Sequence, residues 1–330
     1  MKSLTVLEYN RHEDGVWNMP RPLIEDLARR FPGVRFESPP ARAAAEALLP
    51  RADVVYGWVL RPHNFAAAKR LRWVHVSAAG VTPLLFPALV ESDVVLTNGR
   101  GLHAVSMAEH ALGVMLAFAR KLHLARDLQN ARRWDQSGLW RDPPPFVELA
   151  GGTLGLVGFG AVGAAVAERA AALGLYVIAV RRRPAADPAP AHAQWPVERL
   201  PELLARADWL VLAPALTPET EGLIGRRELA RTKQGAVLVN LGRGALVDEE
   251  ALLDALEEGR LAGAALDVFR DEPLPAASPL WRMPQVILTP HISGLGPRYW
   301  ERAVDQFARN LHAFLAGAPL ENVVDKRAGY

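Results

Sequence analysis

Three polar clusters stand directly after apolar runs in the second half of the chain. Residues 236–239 (AVLV) lead into Asn240-Leu241-Gly242-Arg243-Gly244. Residues 263–266 (GAAL) lead into Asp267-Val268-Phe269-Arg270-Asp271-Glu272-Pro273, and 286–288 (VIL) into Thr289-Pro290-His291-Ile292-Ser293-Gly294. If the runs are parallel strands, their carboxyl ends share the ligand-binding edge of one sheet. A guanidinium (Arg243), a carboxylate (Glu272) and an imidazole (His291) can then converge on one crevice. The plainer readings are a surface ion pair for Arg243 and Glu272, and a packed histidine for His291.

A second chemical signal lies upstream, where residues 153–163 read TLGLVGFGAVG. A short apolar run ends in Gly158-Phe159-Gly160-Ala161-Val162-Gly163, and an Ala-rich helical segment follows. Strand, G-x-G-x-x-G and helix in that order form the dinucleotide-binding fingerprint. The first glycine allows a tight turn, the second lets backbone approach a pyrophosphate, and the third lets helix pack on strand. The pyrophosphate then meets the positive end of the helix dipole. Taken alone, such a turn can also serve packing only.

NAD-binding folds place an acid for the ribose hydroxyls about 20 residues past the first glycine. Here the strand 176–180 ends in Arg181-Arg182-Arg183 instead. Three cations there would clamp a 2′-phosphate through charge-assisted hydrogen bonds. That pattern points to NADP(H) over NAD(H); the plainer reading is a solvated surface turn.

The elements that must position these groups follow an α/β rhythm. Residues 4–7, 54–58, 73–76 and 94–97 read as strands, with helices at 21–30 and 65–71. Strands separated by helices imply parallel βαβ units. Residues 103–126 read as one long helix, apolar on most faces and thus buried. Residues 130–150 lack periodicity, hold three consecutive prolines, and read as an extended arm. Trp134 and Trp140 on that arm either anchor a subunit contact or cover their own domain.

From residue 151 six strands follow, at 154–158, 176–180, 209–213, 236–240, 263–267 and 286–289. Helices lie between them at 162–173, 199–206 and 249–258, the last capped by Asp248 and stopped at Gly259. Six strands make a complete doubly wound sheet. A C-terminal helix over 297–316 is read as returning to cover the first domain. The expected fold is α/β: a Rossmann-type doubly wound nucleotide-binding domain (99–291) plus a discontinuous flavodoxin-like substrate domain (1–98 and 292–330).

Composition narrows the function classes. The chain has 330 residues, half of them apolar, enough for two domains with cores of their own. A net charge of +2 without a long basic block gives no indication of nucleic acid. With no cysteine, disulfides, thiolate catalysis and thiolate metal sites are excluded. MKSLTVLEYN enters a strand-like run without a signal-peptide core, and no apolar stretch approaches a membrane span. The expectation is a soluble, cytoplasmic protein.

At these motifs the chain resembles the D-isomer-specific 2-hydroxyacid dehydrogenase family. The likeness runs through SAAGV (77–81), AEHALGVMLAFAR (108–120), the glycine-rich turn and LTPETEGLIG (216–225). It continues through VLVNLGRGALVDEEALLDAL (237–256), ALDVFRDEPLP (265–275) and LTPHISG (288–294). The resemblance implies that Arg243 binds the carboxylate and carbonyl oxygens of a 2-oxo acid, a task suited to a planar guanidinium. It also implies that His291 is the acid/base and Glu272 its partner, since a carboxylate beside an imidazole favours the protonated ring. No metal is called for, because Arg and His stabilise the developing alkoxide.

The same resemblance places Asp267 beside the nicotinamide, with a turn cap as the alternative, and adds Pro214, Gly242 and Gly294 to the cofactor-contacting positions. Backbone N–H groups at Ala79 and Gly80 would hold the substrate carboxylate, although Gly80 also suits a simple turn. Many relatives have an Asp where this chain has Thr82. The implied function is an oxidoreductase reducing a small 2-oxo acid, glyoxylate- or hydroxypyruvate-like, with NADPH, as a homodimer. Two alternatives stand beside it: an NAD-dependent phosphoglycerate-type dehydrogenase, and a cofactor-sensing protein resembling a corepressor of the same family.

Overall fold

The computed structural model describes residues 4–12, 15 and 17–329. It divides into two compact units, Met1–Leu102 with Gly296–Tyr330, and His103–Leu295.

In the first unit the strands are β1 (Leu4–Tyr9), β2 (Val34–Glu37), β3 (Val54–Gly57), β4 (Trp73–His75) and β5 (Val95–Thr97). Between them lie α1 (Arg21–Arg30), α2 (Arg42–Leu48) and α3 (Pro87–Val90). All strand pairs are parallel, in the order β2-β1-β3-β4-β5, the flavodoxin-like arrangement. Parallel strands covered on both faces are continuously apolar, and β3 (VVYG) is buried throughout.

The second unit opens with α4 (Ala104–Ala119), α5 (Leu122–Asn130) and α6 (Gln136–Arg141). Its sheet is formed by β6 (Thr153–Val157), β7 (Tyr176–Val180), β8 (Ala193–Trp195) and β9 (Trp209–Leu212), then β10 (Ala236–Asn240), β11 (Leu261–Leu266) and β12 (Val286–Leu288). The connecting helices are α7 (Ala161–Ala172), α8 (Leu200–Arg206), α9 (Arg226–Leu229) and α10 (Glu249–Glu257). The order β12-β11-β10-β9-β6-β7-β8 is a doubly wound sheet whose direction of winding reverses between β6 and β9, the usual ligand position. The Asp248 side chain accepts from Ala251 N at the start of α10, and Gly259 beyond its end has φ +67.

The last helix, α11 (Tyr299–Ala316), belongs to the first unit and supplies its aromatic core. Phe307 stacks on Tyr56 (4.2 Å between centroids) and on Trp73 (5.1 Å). His75 is enclosed in the same cluster, and burial pushes its pKa down to about 3. The folded state therefore keeps His75 neutral, while the unfolded chain takes up a proton below about pH 6.5. Stability is full above that pH and falls as the pH drops toward 3. Urea unfolding at pH 7.5 and 4.5 should show this loss, and His75→Gln should flatten it. An equal pH slope in the variant would remove His75 as a cause.

Several elements differ from the sequence reading. The helix expected at 65–71 is only a 3-10 turn at Phe65–Ala67, closed by the bond from Ala68 N–H to Phe65 O, after which the chain leads into β4. The edge strands β2 (VRFE) and β8 (AQW) were not anticipated; they are only partly buried and carry polar residues, so neither reads as an apolar run. The sheet thus has seven strands rather than six. The long helix breaks at Lys121, which has φ +51. That turn carries the Lys121 ammonium inward to the carbonyls of Leu139 and Asp142, and within the arm α6 is capped by Asp135. Helix α4 buries Ala108, Ala111 and Met115 against Val166, Ala167 and Ala170 of α7.

Candidate active site

The glycine-rich turn joins β6 to α7 at the switch in strand order. Gly158 has φ +91, and a Cβ on it would lie 2.6 Å from the Pro214 nitrogen. Only glycine permits this approach, which seats Pro214, just after β9, against the turn. Gly158 N–H donates to Val180 O at 2.9 Å, so β7 also ends beside it and Arg181 begins there. Gly163 packs equally tightly, its absent Cβ falling 2.5 Å from Gly158 O. Gly160, at the N-cap of α7, is different: a Cβ there would enter open space.

Nothing within the chain requires glycine at 160, and the exposed cradle at the positive end of a twelve-residue helix fits a pyrophosphate. Phe159 is buried, Val162 half-buried and Ala161 exposed, so Phe159 packs the turn down while Ala161 borders the cradle. Arg181 is half-buried with its N–H bonded to Trp195 O, and Arg182 and Arg183 are exposed. Glu219 lies within electrostatic reach of Arg182.

Glu272 and His291 meet. His291 Nδ1 lies 2.7 Å from Glu272 Oε2, and the other carboxylate oxygen accepts from Phe269 N at 3.0 Å. Glu272 is thereby tied to its own loop while it faces the ring. A carboxylate accepts, so His291 donates through Nδ1–H and leaves Nε2 for other chemistry. His291 has φ +53, an unusual conformation for a residue with a side chain. Its N–H is held by Asp267 O and Thr289 O, each at 2.9 Å.

Asp267 is buried, and its carboxylate is taken up by the same turn. It accepts from Thr289 Oγ1 (2.7 Å), Ile292 N (2.9 Å) and Ser293 N (3.0 Å). The capping alternative for Asp267 is thus what the turn displays. Asn240 organises the neighbouring loop: its amide donates to Arg243 O and accepts from Gly242 N. Gly244 lies so close to the Phe269 carbonyl that a Cβ would collide with it. The loops bearing Arg243 and Glu272 are therefore in backbone contact. The Arg243 side chain is exposed, and its Nη1 bonds Gly242 O at 2.7 Å; the structure shows no hydrogen bond from it to Glu272 or His291.

Four residues that the sequence reading did not single out hold these loops: Asn240, Thr289, His103 and His110. Asn240, Thr289 and His110 lie inside the quoted motifs, and the two histidines are spaced seven apart at the start of a helix. In the first unit, Ala79 is exposed and Gly80 half-buried in the loop after β4, where Asn98 Nδ2 donates to Ala79 O at 2.8 Å. A cavity of about 620 Å³ lies away from His291, on the arm, lined by Arg120, Trp140, Phe146 and neighbours.

The doubly wound sheet, its glycine turn and a carboxylate-held histidine at the strand ends define a dinucleotide-binding α/β protein. The chain belongs to the D-isomer specific 2-hydroxyacid dehydrogenase family, whose NAD binding domain model matches residues 112–293. It is 36% identical over 301 residues to D-3-phosphoglycerate dehydrogenase of Mycobacterium tuberculosis, covering 90% of this chain and 55% of that one. It thus spans about half the length of that relative. With glyoxylate reductase of Thermococcus gammatolerans it shares 37% identity over 266 residues, 79% of this chain and 78% of the other. A 2-hydroxyacid dehydrogenase of Xanthobacter autotrophicus, solved in complex with NADPH and MES, superposes with a TM-score of 0.84 at 30% identity. That match covers 99% of this chain and 100% of the other.

Proposed function

We propose that this protein is an NADPH-preferring oxidoreductase that reduces a small 2-oxo acid, glyoxylate- or hydroxypyruvate-like, to the D-2-hydroxy acid. The observation that carries the reading is the 2.7 Å contact between His291 Nδ1 and Glu272 Oε2 at the ligand-binding edge of a dinucleotide-type sheet. When bound, the nicotinamide supplies the hydride.

Arg243 grips the substrate carboxylate and polarises its 2-oxo oxygen. His291 Nε2 gives that oxygen a proton as negative charge develops on it, and Glu272 orients the ring through Nδ1–H. Backbone N–H groups of Ala79 and Gly80 hold the carboxylate, and Gly158–Gly163 with Pro214 and Gly242 bind the cofactor. Oxidation of a phosphorylated hydroxy acid with NAD is the alternative; the mycobacterial relative supports it, while the missing acid after Val180 weighs against it.

Cofactor choice tests the reading. Arg181 follows β7 directly, where an Asp would accept from the ribose hydroxyls and repel a 2′-phosphate. One or two charge-assisted hydrogen bonds, each ~1.5–3 kcal/mol and partly screened, favour NADPH by roughly ten- to several-hundred-fold. Arg181→Asp with Arg182→Ser should shift the preference toward NADH, mainly through the cofactor KM. Equal kcat/KM for NADH and NADPH in the parent at low salt would contradict the assignment.

The reading extends to a cytoplasmic homodimer in which the arm contributes contacts. Trp134 and Trp140 are 94% and 74% exposed, so neither is covered by its own unit, and large exposed aromatics suit an interface. Sedimentation showing a stable monomer at micromolar concentration would contradict this. Among the described residues, no helix is long and apolar enough to cross a membrane.

A further inference from the structure

Two histidines at the start of α4 have no role in the reaction as just drawn. His103 is the N-cap of α4 and His110 follows seven residues later, so both fall on one helix face. Each reaches the turn that carries His291. His103 Nδ1 is 2.9 Å from Gly294 O; a carbonyl accepts, so the ring donates there through Nδ1–H. His110 Nε2 is 3.3 Å from Thr289 Oγ1. That hydroxyl donates to Asp267, so it accepts from His110 Nε2–H.

Burial lowers the pKa of both rings. For His103 the Gly294 carbonyl opposes the shift while Arg243 and His291 add to it; for His110, Asp267 opposes it. Each ring is thus neutral near pH 7, with its single N–H directed at the turn. Gly294 is fitted to this contact, since a Cβ there would lie 2.9 Å from His103 Nδ1.

We propose that His103 and His110 are positioning residues that grip the turn 289–294 at both ends and fix where His291 presents Nε2. This rests on His291 being the acid/base of the proposed reaction. The contacts fall two residues before and three after His291. Between them the chain passes through φ +53, a conformation that persists only where the surroundings over-determine it. Asp267 holds the middle of the turn, and α4 ties the ends to the body of the unit. A loosened turn leaves His291 present but misplaced, and an error of about 1 Å can cost ~10²-fold in rate.

The test is a set of variants in the full chain, assayed for 2-oxo acid reduction with NADPH. His103→Leu and His110→Leu remove the N–H groups, while His103→Asn and His110→Gln restore one near the native Nδ1 and Nε2 positions. Each Leu variant is expected to lose roughly tenfold or more in kcat with less than about a twofold change in cofactor KM, and the amides to recover most of it. In a His291→Gln background, His103→Leu should add little, because residues acting through one group are not additive.

Parent-like kcat in both Leu variants, amides no better than Leu, or a full further loss in the His291→Gln background would each overturn the proposal. If a Leu variant fails to fold, His103→Gln and His110→Asn take its place, since they set the N–H about one bond out of position. Normal kcat in His291→Gln itself would overturn the proposed reaction along with this inference. Loss in His291→Gln beside unaffected Leu variants would overturn the inference alone.

Discussion

Replacing His291 by Gln is expected to lower kcat for 2-oxo acid reduction by roughly 10²–10⁴, the usual contribution of a positioned acid or base. Cofactor affinity should survive, because the ring lies at the ends of β11 and β12 and the glycine turn follows β6. Gln keeps a polar group of similar length but cannot deliver a proton. Glu272→Gln is the companion experiment. The carboxylate holds the ring through its 2.7 Å contact with Nδ1, so its loss should lower kcat for reduction with little change in cofactor KM. Parent-like kcat in Glu272→Gln would leave Glu272 as a loop cap bound to Phe269 N.

Arg243→Gln carries the second large effect. A guanidinium gripping a carboxylate and a carbonyl through two charge-assisted hydrogen bonds at ~1.5–3 kcal/mol each supports a loss of roughly 10²–10⁴ in kcat/KM. Part should appear in KM, through the carboxylate, and part in kcat, through the oxygen on which charge develops. Arg243→Lys should rescue only a fraction, since an ammonium lacks the planar fork. The backbone at 243 is fixed by Asn240 and by the contact of Gly244 with Phe269, so the substitution removes the head group without moving the loop. Parent-like kcat/KM in Arg243→Gln would exclude it from substrate binding.

How far the chain could be read in advance follows from where the information lies. Tyr176–Val180 and Ala236–Asn240 are visible because strands buried on both faces are unbroken apolar runs, and their bounds follow directly from the sequence. The edge strands β2 (VRFE) and β8 (AQW) are only partly buried and mix polar with apolar residues, so no apolar run marks them. The break at Lys121 is invisible locally, because its partners, Leu139 and Asp142, lie some twenty residues away. At the site, the strand-end positions of Arg243, Glu272 and His291 are legible, since polar residues follow apolar runs. The grip of His103 and His110 on the turn is not, because it depends on which helix stands behind those strand ends. Asp267 shows a further limit: the sequence does not reveal that it holds the 289–293 turn, which only its three hydrogen bonds show.

The most direct test is steady-state turnover of a panel of 2-oxo acids, glyoxylate and hydroxypyruvate among them, with NADPH and with NADH. The account predicts reduction of at least one of these two at an ordinary enzymatic rate, ~1–10³ s⁻¹, with higher kcat/KM for NADPH. Absence of turnover with every 2-oxo acid and both cofactors would contradict it.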